Sequence, residues 1–319
     1  MKEDGNFKRY VVRSFEDYLE VIKEVQGNES EIWYRGQSNA NYQLIPSAMR
    51  KMVEVQDQFG REIKPREVGE FNNRGHIVTF IDVNAMLEEF KKEASKYLRI
   101  EPKNDFEWMF LAQHYGIPTK LLDWSTDPLV ALFFAMPEEG EKDIDIDIDK
   151  AIEEFDNYGY SELGAAVFAM NPIYFNSKTA EYKYKDENQL YEPVDVSENY
   201  EFFKEFIHPT EEKSFYLPHC ILGTDIDRRI CRQSGNFTVH GINVWPLEQY
   251  DPIRSKMYKI FIPYTYINEI REKLNIMNIN KDSIYGDSDL DLISKKISNS
   301  EKDKFNKFIQ ELIEKYSKI

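Results

Sequence analysis

Arg35 is the first residue whose type and setting could support chemistry. It ends a strand predicted over residues 31–35, and the following Gly36 lets the backbone turn or approach a ligand closely. A guanidinium carries a permanent positive charge and a planar fork of donors, which suits a phosphate or a carboxylate. Gln37 follows as a candidate ligand-binding residue. The alternative is that Arg35 pairs with a carboxylate in the core and holds the strand in place.

His114 and Asp123 belong to a polar segment, residues 111–128, between two predicted helices. His114 lies in the last turn of the first helix, and Asp127 caps the second. That second helix is apolar all round, so it should be buried, and its N-terminus offers unpaired N–H groups that favour an anion. Alternatively, His114, Asp123 and Asp127 are structural hydrogen-bond partners. The candidate ligand-binding residues of the segment are Gln113, Tyr115, Thr119, Lys120, Trp124 and Ser125.

A third segment, residues 228–237, is the best local basic patch of the chain. Arg228, Arg229 and Arg232 lie in a strand predicted over residues 228–240, and Gly235 indicates a bulge or a close backbone approach. The alternative is a set of ordinary surface arginines on an edge strand. The candidate site residues here are Arg229, Gln233 and Phe237.

Two groups of residues partly resemble metal sites. Asp143, Asp145 and Asp147 alternate as in a calcium loop, but Ile148 stands where the sharp turn needs glycine. Four possible zinc ligands lie in another segment with poor spacing, because adjacent residues of a strand point to opposite faces. They are His219, Cys220, Cys231 and His240. The sequence therefore predicts no metal site.

The elements that position these residues follow from apolar spacing and helix caps. Helices are predicted over residues 14–27, 82–98, 104–116, 127–136, 265–274, 288–297 and 305–316. Strands are predicted over residues 31–35, 163–170, 228–240 and 258–262. This order predicts an α+β fold (mixed α/β): a single domain with a central mixed sheet, flanking helices and a C-terminal helix. The predicted divisions are an N-terminal helical segment at 1–30, a main domain at 31–300 with an acidic insertion at about 138–160, and the C-terminal helix at 301–319.

Charge and composition exclude several classes of function. The chain has 41 Lys and Arg against 57 Asp and Glu, a net charge of −16, which argues against broad binding to nucleic acid or to anionic membranes. The longest apolar run, residues 129–136, is far shorter than the roughly 20 residues of a membrane-spanning helix. The first ten residues contain no apolar signal core, and two cysteines make no disulfide framework, so we expect a cytoplasmic protein. The motifs G-x-S-x-G, H-E-x-x-H, G-x-x-x-x-G-K-[ST] and G-x-G-x-x-G are absent, which disfavours the common hydrolase, zinc-protease, P-loop and dinucleotide folds.

The three motifs together resemble the FRG domain family, named for its Phe/Tyr-Arg-Gly core. Residues 34–37 (YRGQ) resemble its opening motif, and residues 113–124 (QHYGIPTKLLDW) its central motif. Residues 229–237 resemble its third motif, and the resemblance spans about residues 31–297, which identifies the main domain as FRG-like. The chain departs from the family at Lys120, where arginine is usual, at Asp127, where asparagine is frequent, and at residues 286–287. The lysine keeps the charge but loses the bidentate geometry. FRG proteins are mostly bacterial or phage-borne, and the resemblance implies a role in toxin or defence systems.

Element order leads to a first functional hypothesis, an enzyme that acts on a nucleotide-like substrate. An ADP-ribosyltransferase or an NAD-cleaving enzyme often has a basic residue on an early strand, then aromatic and hydroxyl groups, then an acidic or amide residue on a later strand. Here the catalytic residues would be Arg35 on the pyrophosphate, His114 near the ribose or base, Asp123 as the polarising group and Gln233 on the later strand. NAD would then be the substrate, and no other cofactor is indicated. The catalytic glutamate is missing from this order, and Glu248 is a distant candidate.

Two further hypotheses use the same residues. In the second, the pocket binds a small nucleotide-like ligand, a phosphorylated metabolite or a protein tail without chemistry, which explains the arginines without a general base. In the third, Asp123, Asp127 and His114 hold a divalent ion in a hydrolase or nuclease. The third is disfavoured, since few carboxylates can converge and the net charge repels a polyanion.

Overall fold

Ten strands and eleven α-helices follow one another along the described part of the chain. The structure is a computed structural model. It describes residues 7–27, 29–57, 59–62, 77–98, 100–138, 140, 146–181, 191–207, 217–224, 233, 235–241, 244–285 and 290–317. None of the helices in these ranges is both long and apolar enough to cross a membrane.

The strands and helices have the following bounds. The strands are β1 (Lys8–Val11), β2 (Trp33–Gln37), β3 (Met52–Gln56), β4 (Ile77–Phe80), β5 (Leu121–Ser125), β6 (Gly164–Met170), β7 (Val194–Asp195), β8 (His219–Leu222), β9 (Gly235–Val239) and β10 (Tyr258–Pro263). The helices are α1 (Phe15–Gln26), α2 (Val83–Ala94), α3 (Asp105–His114), α4 (Pro128–Ala135), α5 (Ile148–Tyr158), α6 (Pro172–Glu181), α7 (Tyr200–Ile207), α8 (Asp251–Arg254), α9 (Ile267–Ile276), α10 (Lys281–Ile284) and α11 (Leu290–Ser317).

Eight strands form one mixed sheet in the order β1-β10-β6-β2-β5-β9-β8-β7, and β3 and β4 form a separate small sheet. Within the large sheet, β1 is parallel to β10 and β7 to β8, and the other pairs are antiparallel. All seven residues of β6 are buried, because helices cover both faces of the sheet. The predicted α+β single domain with a central mixed sheet and flanking helices is thus confirmed.

The central strands β2 and β5 pair through one residue pair, Tyr34 with Ser125. By contrast, β2 pairs with β6 over five residues, and β5 with β9 over five. We call this short contact the β2–β5 seam. It divides the sheet into two groups of four strands, and it lies where two of the three sequence motifs meet.

Helices cover one face of the sheet in two groups that follow the seam. The helices α1, α4 and α9 pack over β2, β6 and β10 through a cluster of buried apolar side chains. The helices α2, α3, α7 and α11 pack over β5, β8 and β9 through a second cluster. The opposite face is covered by α5, α6 and α8. A space is therefore left on the first face, between the two helix groups and over the seam.

Local capping signals set the ends of the helices nearest the seam. The Asn104 side chain accepts hydrogen bonds from the N–H groups of Phe106 and Glu107 and begins α3. Asp127 accepts from Leu129 and Val130 at the start of α4, and Pro128 occupies the first turn. Of the two alternatives for this helix N-terminus, an anion or the Asp127 side chain, the structure shows the Asp127 cap.

Two segments that the sequence interpretation described differ from the helices observed there. The acidic insertion contains a helix, α5, because Asp147 caps it at Lys150 N–H and Phe155 is buried in the core. The segments 288–297 and 305–316 form one helix, α11, rather than two. Its polar middle does not break it, because Ser298 donates to the Gly116 carbonyl and Phe305 packs in the core cluster.

Candidate functional site

A cavity of about 350 Å³ lies over the β2–β5 seam, and we call it the Asp123 cavity. Its walls come from β2, the end of α3, β5 and α4, with additional residues from later parts of the chain. The lining residues are Tyr34, Arg35, Gly36, Gln113, His114, Tyr115, Gly116, Asp123, Trp124, Ser125, Ala131, Phe134, Gln233, Gly235, Tyr285 and Asp291. The four residues predicted as catalytic, Arg35, His114, Asp123 and Gln233, therefore border one cavity.

Arg35 bridges the seam to Asp123. Strand alternation places the Arg35 side chain on the face of Trp33 and Gln37, whereas Asp123 extends from the other face. The Arg35 Nη1 atom donates to the Asp123 backbone oxygen at 2.7 Å and lies 3.5 Å from the Oδ2 atom. The guanidinium thus lies between the two strands where their pairing has ended, close to both faces of the sheet.

One edge of the Arg35 guanidinium makes no hydrogen bond with any described residue. The Nη1 atom makes the contact with Asp123, and the buried Nε atom has no partner. Burial lowers the pKa of Arg35, Asp123 opposes that change, and the positive charge of Arg50 adds to it. Arginine nevertheless stays charged in proteins. A charged, planar guanidinium that borders a cavity suits an oxyanion.

The Asp123 carboxylate is held by a chain of hydrogen bonds. Thr119 Oγ1 donates to Gln113 Oε1 at 2.5 Å, and Gln113 Nε2 donates to Asp123 Oδ2 at 2.8 Å. Thr119 also accepts from the N–H of Leu121, which fixes its hydroxyl. Thr119 is buried, whereas the Asp123 side chain is 40% exposed. Thr119 and Gln113 therefore position the carboxylate at the cavity.

Gly36 is required by helix packing. The predicted strand end at Gly36 is wrong, because β2 continues to Gln37. A Cβ atom on Gly36 would lie 1.9 Å from the Ala131 carbonyl oxygen and 2.5 Å from the Ala135 nitrogen. The backbone of α4 therefore packs directly on β2, and Gly36 provides that approach, with no turn of the chain at this point.

Ser125 joins the third motif to the cavity. Its hydroxyl donates to the Gln233 backbone oxygen at 2.9 Å and accepts from the N–H of Asp127. Gln233 and Gly235 thereby lie at the cavity beside β5. Ser125 is buried, so its described contacts give it a positioning role.

Comparison with known families now identifies part of the chain, since residues 30–144 match the family model of the FRG domain. Residues 30–144 form an FRG domain. Neither the search of curated proteins nor the search of solved structures found a match. The FRG domain supplies Arg35, His114 and Asp123, whereas Gln233, Tyr285 and Asp291 line the cavity from beyond it.

Several predicted ligand-binding residues of the FRG domain do not offer their side chains to the cavity. The Trp124 ring packs in the core on the other face of the sheet, is 2% exposed and donates to Thr238. Thr119 is buried, and Lys120 does not line the cavity, since its ammonium group lies 6.0 Å from the centre of the Phe80 ring. Burial lowers the pKa of Lys120. The structure therefore places these three side chains in the core or beside Phe80, and their contact with a ligand stays a prediction.

The other predicted residues divide between the cavity and the core. His114 and Tyr115 border the Asp123 cavity, and both are largely buried. Phe237 is a core residue, fully buried and stacked on Phe110 at 4.5 Å, and it does not border the Asp123 cavity. Gln37 lines a neighbouring cavity. Arg229, with Arg228 and Arg232, lies outside the described residues.

Three residues at the site are not indicated as site residues by the sequence. Tyr285 and Asp291 border the Asp123 cavity, and Arg50 lies close enough to Arg35 to affect its pKa. No local pattern marks Tyr285, and the sequence marks Asp291 only as an acidic residue at the start of a helix, because both reach the cavity through tertiary packing near the start of α11. Arg50 gave one weak signal, as a basic residue in the loop after the FRG domain's opening motif.

His240 is a further neighbour of Arg35. Burial and the positive charge of Arg35 lower the pKa of His240 to about 3, so its imidazole stays neutral at physiological pH. Its ring lies near the Thr238 hydroxyl, 3.4 Å from Nε2 to Oγ1. His240 therefore adds no positive charge beside Arg35.

The residues considered for metals do not gather in the described part of the chain. No group of three or more His, Cys, Asp or Glu residues there could hold a metal ion. His219 and Cys220 are neighbours on β8, and Asp127 caps α4. Asp143, Asp145 and Cys231 lie outside the described residues.

Proposed function

We propose that the FRG domain binds a small, nucleotide-like anion in the Asp123 cavity, with Arg35 as the anchor of its phosphate. The observation that carries this proposal is the donor edge of Arg35, whose buried Nε atom has no partner among the described residues. An unmade hydrogen bond from a buried donor costs about 1–3 kcal/mol. A phosphate at this edge recovers that cost.

The rest of the cavity supports a ligand with polar and aromatic parts. Asp123 presents a partly exposed carboxylate, which accepts hydrogen bonds from sugar hydroxyl groups. Phe134 and Tyr285 line the cavity with their rings 5.9 Å apart and perpendicular, which gives an aromatic wall for a base. The volume of about 350 Å³ falls within the usual range of ligand pockets.

The net charge of the chain favours binding of a small anion over binding of a long polyanion. A charge of −16 repels a long polyanion, whereas a nucleotide needs a favourable potential over a few ångströms. The positive charge of Arg35 supplies that local potential. A small anion is therefore favoured over a nucleic acid.

Calorimetric titration of the full chain with ADP, ADP-ribose and NAD tests the proposal. We expect at least one of them to bind, and Arg35→Gln to raise its Kd at least tenfold. Arg35→Lys should not restore binding, because an ammonium group lacks the planar donor edge. Arg254→Gln is the matched control, since Arg254 pairs with Asp251 on the surface and its loss changes the net charge equally. Absence of binding by the wild type, or equal affinity of Arg35→Gln, would refute the proposal.

We propose NAD cleavage as a second candidate function, because a carboxylate and an imidazole line the same cavity as Arg35. Cleavage breaks the bond between ribose C1′ and the nicotinamide nitrogen, and the electron pair leaves with nicotinamide. Water then adds to C1′ and releases a proton. Asp123 would stabilise the positive charge that develops on the ribose. In this role it would take the place of the catalytic glutamate that the motif order lacks.

Nicotinamide release from NAD separates catalysis from binding. Asp123→Asn should abolish release, because the neutral amide cannot stabilise the cation, while NAD still binds at Arg35. A toxin or defence role would follow from this activity, since an enzyme that consumes NAD depletes it in the host cell. Expression in bacteria with measurement of cellular NAD tests that role, and unchanged NAD levels contradict it.

A further inference from the structure

A second cavity of about 620 Å³ adjoins the Asp123 cavity, and we call it the Arg50 cavity. The two share Arg35, Gly36 and Phe134. The lining residues that matter for its chemistry are Arg35, Gln37, Gln43, Ile45 and Arg50. Arg35 thus lies at the boundary of both cavities, as expected from its position in the seam.

The Arg50 cavity is positively charged. Two guanidinium groups line it, and none of its described lining residues is Asp or Glu. Arg50 is exposed at the cavity wall, where its Nε atom lies 3.5 Å from the Ile45 carbonyl oxygen. Asp123 compensates Arg35 from the other cavity. The Asp123 charge also acts on Arg50, so two guanidinium groups share one carboxylate and net positive charge remains at the Arg50 cavity.

Gln37 adds an unused acceptor to this cavity. The residue is 6% exposed, and its Oε1 atom is buried with no hydrogen-bond partner. Its Nε2 atom contacts the Gln43 backbone oxygen at 3.4 Å, which leaves the oxygen oriented elsewhere. A buried acceptor beside two cations suits a ligand that carries both negative charge and hydroxyl groups.

We infer that the ligand spans both cavities and carries a diphosphate, which lies between Arg35 and Arg50. This inference rests on the proposed function and narrows its substrate class to nucleoside diphosphates and their conjugates. The nucleoside end occupies the Asp123 cavity, one phosphate contacts the donor edge of Arg35, and the next contacts Arg50. A sugar hydroxyl beyond the diphosphate donates to Gln37. A nucleoside monophosphate would contact Arg35 and leave Arg50 unmatched.

Titration of the full chain with AMP and ADP tests the inference. We expect the wild type to bind ADP at least tenfold more tightly than AMP. Arg50→Gln should raise the Kd for ADP at least tenfold and the Kd for AMP less than threefold, because Arg50 contacts the second phosphate. Arg50→Lys should keep part of the preference, since it retains the charge. Arg254→Gln, which makes the same change in net charge, should preserve both constants.

The outcomes distinguish the inference from the proposal on which it rests. If ADP and AMP bind equally, or if Arg50→Gln behaves like Arg254→Gln, the inference is wrong while binding at Arg35 stands. If neither AMP nor ADP binds the wild type, the inference is wrong, and the proposal is wrong as well when ADP-ribose and NAD also fail to bind. If Arg50→Gln unfolds at a lower temperature than the wild type, the Arg50→Lys titration decides, and loss of its ADP preference over AMP would count against the inference.

Discussion

The Cα atom of Gly36 lies against the backbone of Ala131, so close that a Cβ atom would meet the Ala131 carbonyl oxygen at 1.9 Å. Both partners are backbone, so no side-chain rotation can relieve the overlap. The contact fixes α4 on β2 next to Arg35, and Phe134 on the same helix lines both cavities. The position of the site thus depends on Gly36 having no Cβ atom.

Gly36→Ala should destabilise the protein by about 3 kcal/mol or more, because α4 must move away from the sheet. Chemical denaturation followed by circular dichroism measures the change. Gly60→Ala is the control, since nothing lies within 4 Å of its Cβ position and it suffers only the strain of its positive φ of 75°, about 1 kcal/mol. Equal losses in the two variants would contradict the packing role of Gly36.

Thr119→Val should weaken ligand binding without changing any residue that lines the cavity. The valine cannot donate to Gln113 Oε1, so the amide no longer presents Nε2 to Asp123. We expect a loss of about 1–2 kcal/mol in unfolding free energy, and a several-fold rise in Kd for the nucleotide that the wild type binds. Thr119→Ser keeps the hydroxyl and should restore both values. Failure of serine to restore binding would show that volume matters here rather than the hydrogen bond.

Lys259→Met should destabilise the fold by roughly 2–4 kcal/mol, because it leaves two carbonyl groups without their donor. The buried ammonium group donates to the Ala40 oxygen at 2.7 Å and to the Gly159 oxygen at 2.8 Å. Lys273→Met is the control, since Lys273 pairs with Glu16 on the surface. Thermal and chemical unfolding compare the two variants, and a similar small effect in both would contradict the role of Lys259.

The stability of the protein should fall in acid partly because of His219. Burial lowers the pKa of His219 to about 3, against an ordinary value of 6.5. Below about pH 6.5 the unfolded chain binds a proton that the folded chain does not, so stability is lost as the pH falls from about 6.5 towards about 3. His219→Phe removes this contribution and keeps a ring beside Phe202 and Phe203.

Unfolding free energies at pH 7 and at pH 5 check the effect of His219. The variant should gain stability relative to the wild type as the pH falls, by roughly 1 kcal/mol per pH unit. His240 is also buried with a low pKa, but it is present in both proteins, so its contribution cancels. Parallel pH profiles for the two proteins would show that His219 does not couple stability to pH.

Local signals in the sequence predicted much of the fold and the residues that meet at the site. The caps at Ser14, Asn104 and Asp127 act within their own first turns, so they could be identified without tertiary information. The apolar runs of β6 and β10 were equally local. Arg35, His114 and Asp123 are indicated as site residues because they are polar and lie next to glycines and helix ends.

Features that depend on distant contacts could not be predicted in the same way. The strands β3 and β4 pair with each other across residues 57–76, and their own sequences are poorly periodic. Arg50 and Tyr285 reach the site through loops whose paths are set by packing. The orientation of Trp124 was predictable in part, because it alternates with Asp123 and Ser125 along β5 and so must face away from them.

The single pairing of Tyr34 with Ser125 has a mechanical consequence for the whole molecule. Between the two groups of four strands, the β2–β5 seam has one paired residue on each strand and the hydrogen bond from the Arg35 guanidinium to the Asp123 backbone oxygen. A small molecule bound at the seam would contact both groups of four strands and hold them together. Binding of a ligand at the seam should therefore reduce local opening of the sheet beyond the cavity. Amide hydrogen exchange in β6 and β9, which flank the seam strands, should be slower with the ligand than without it.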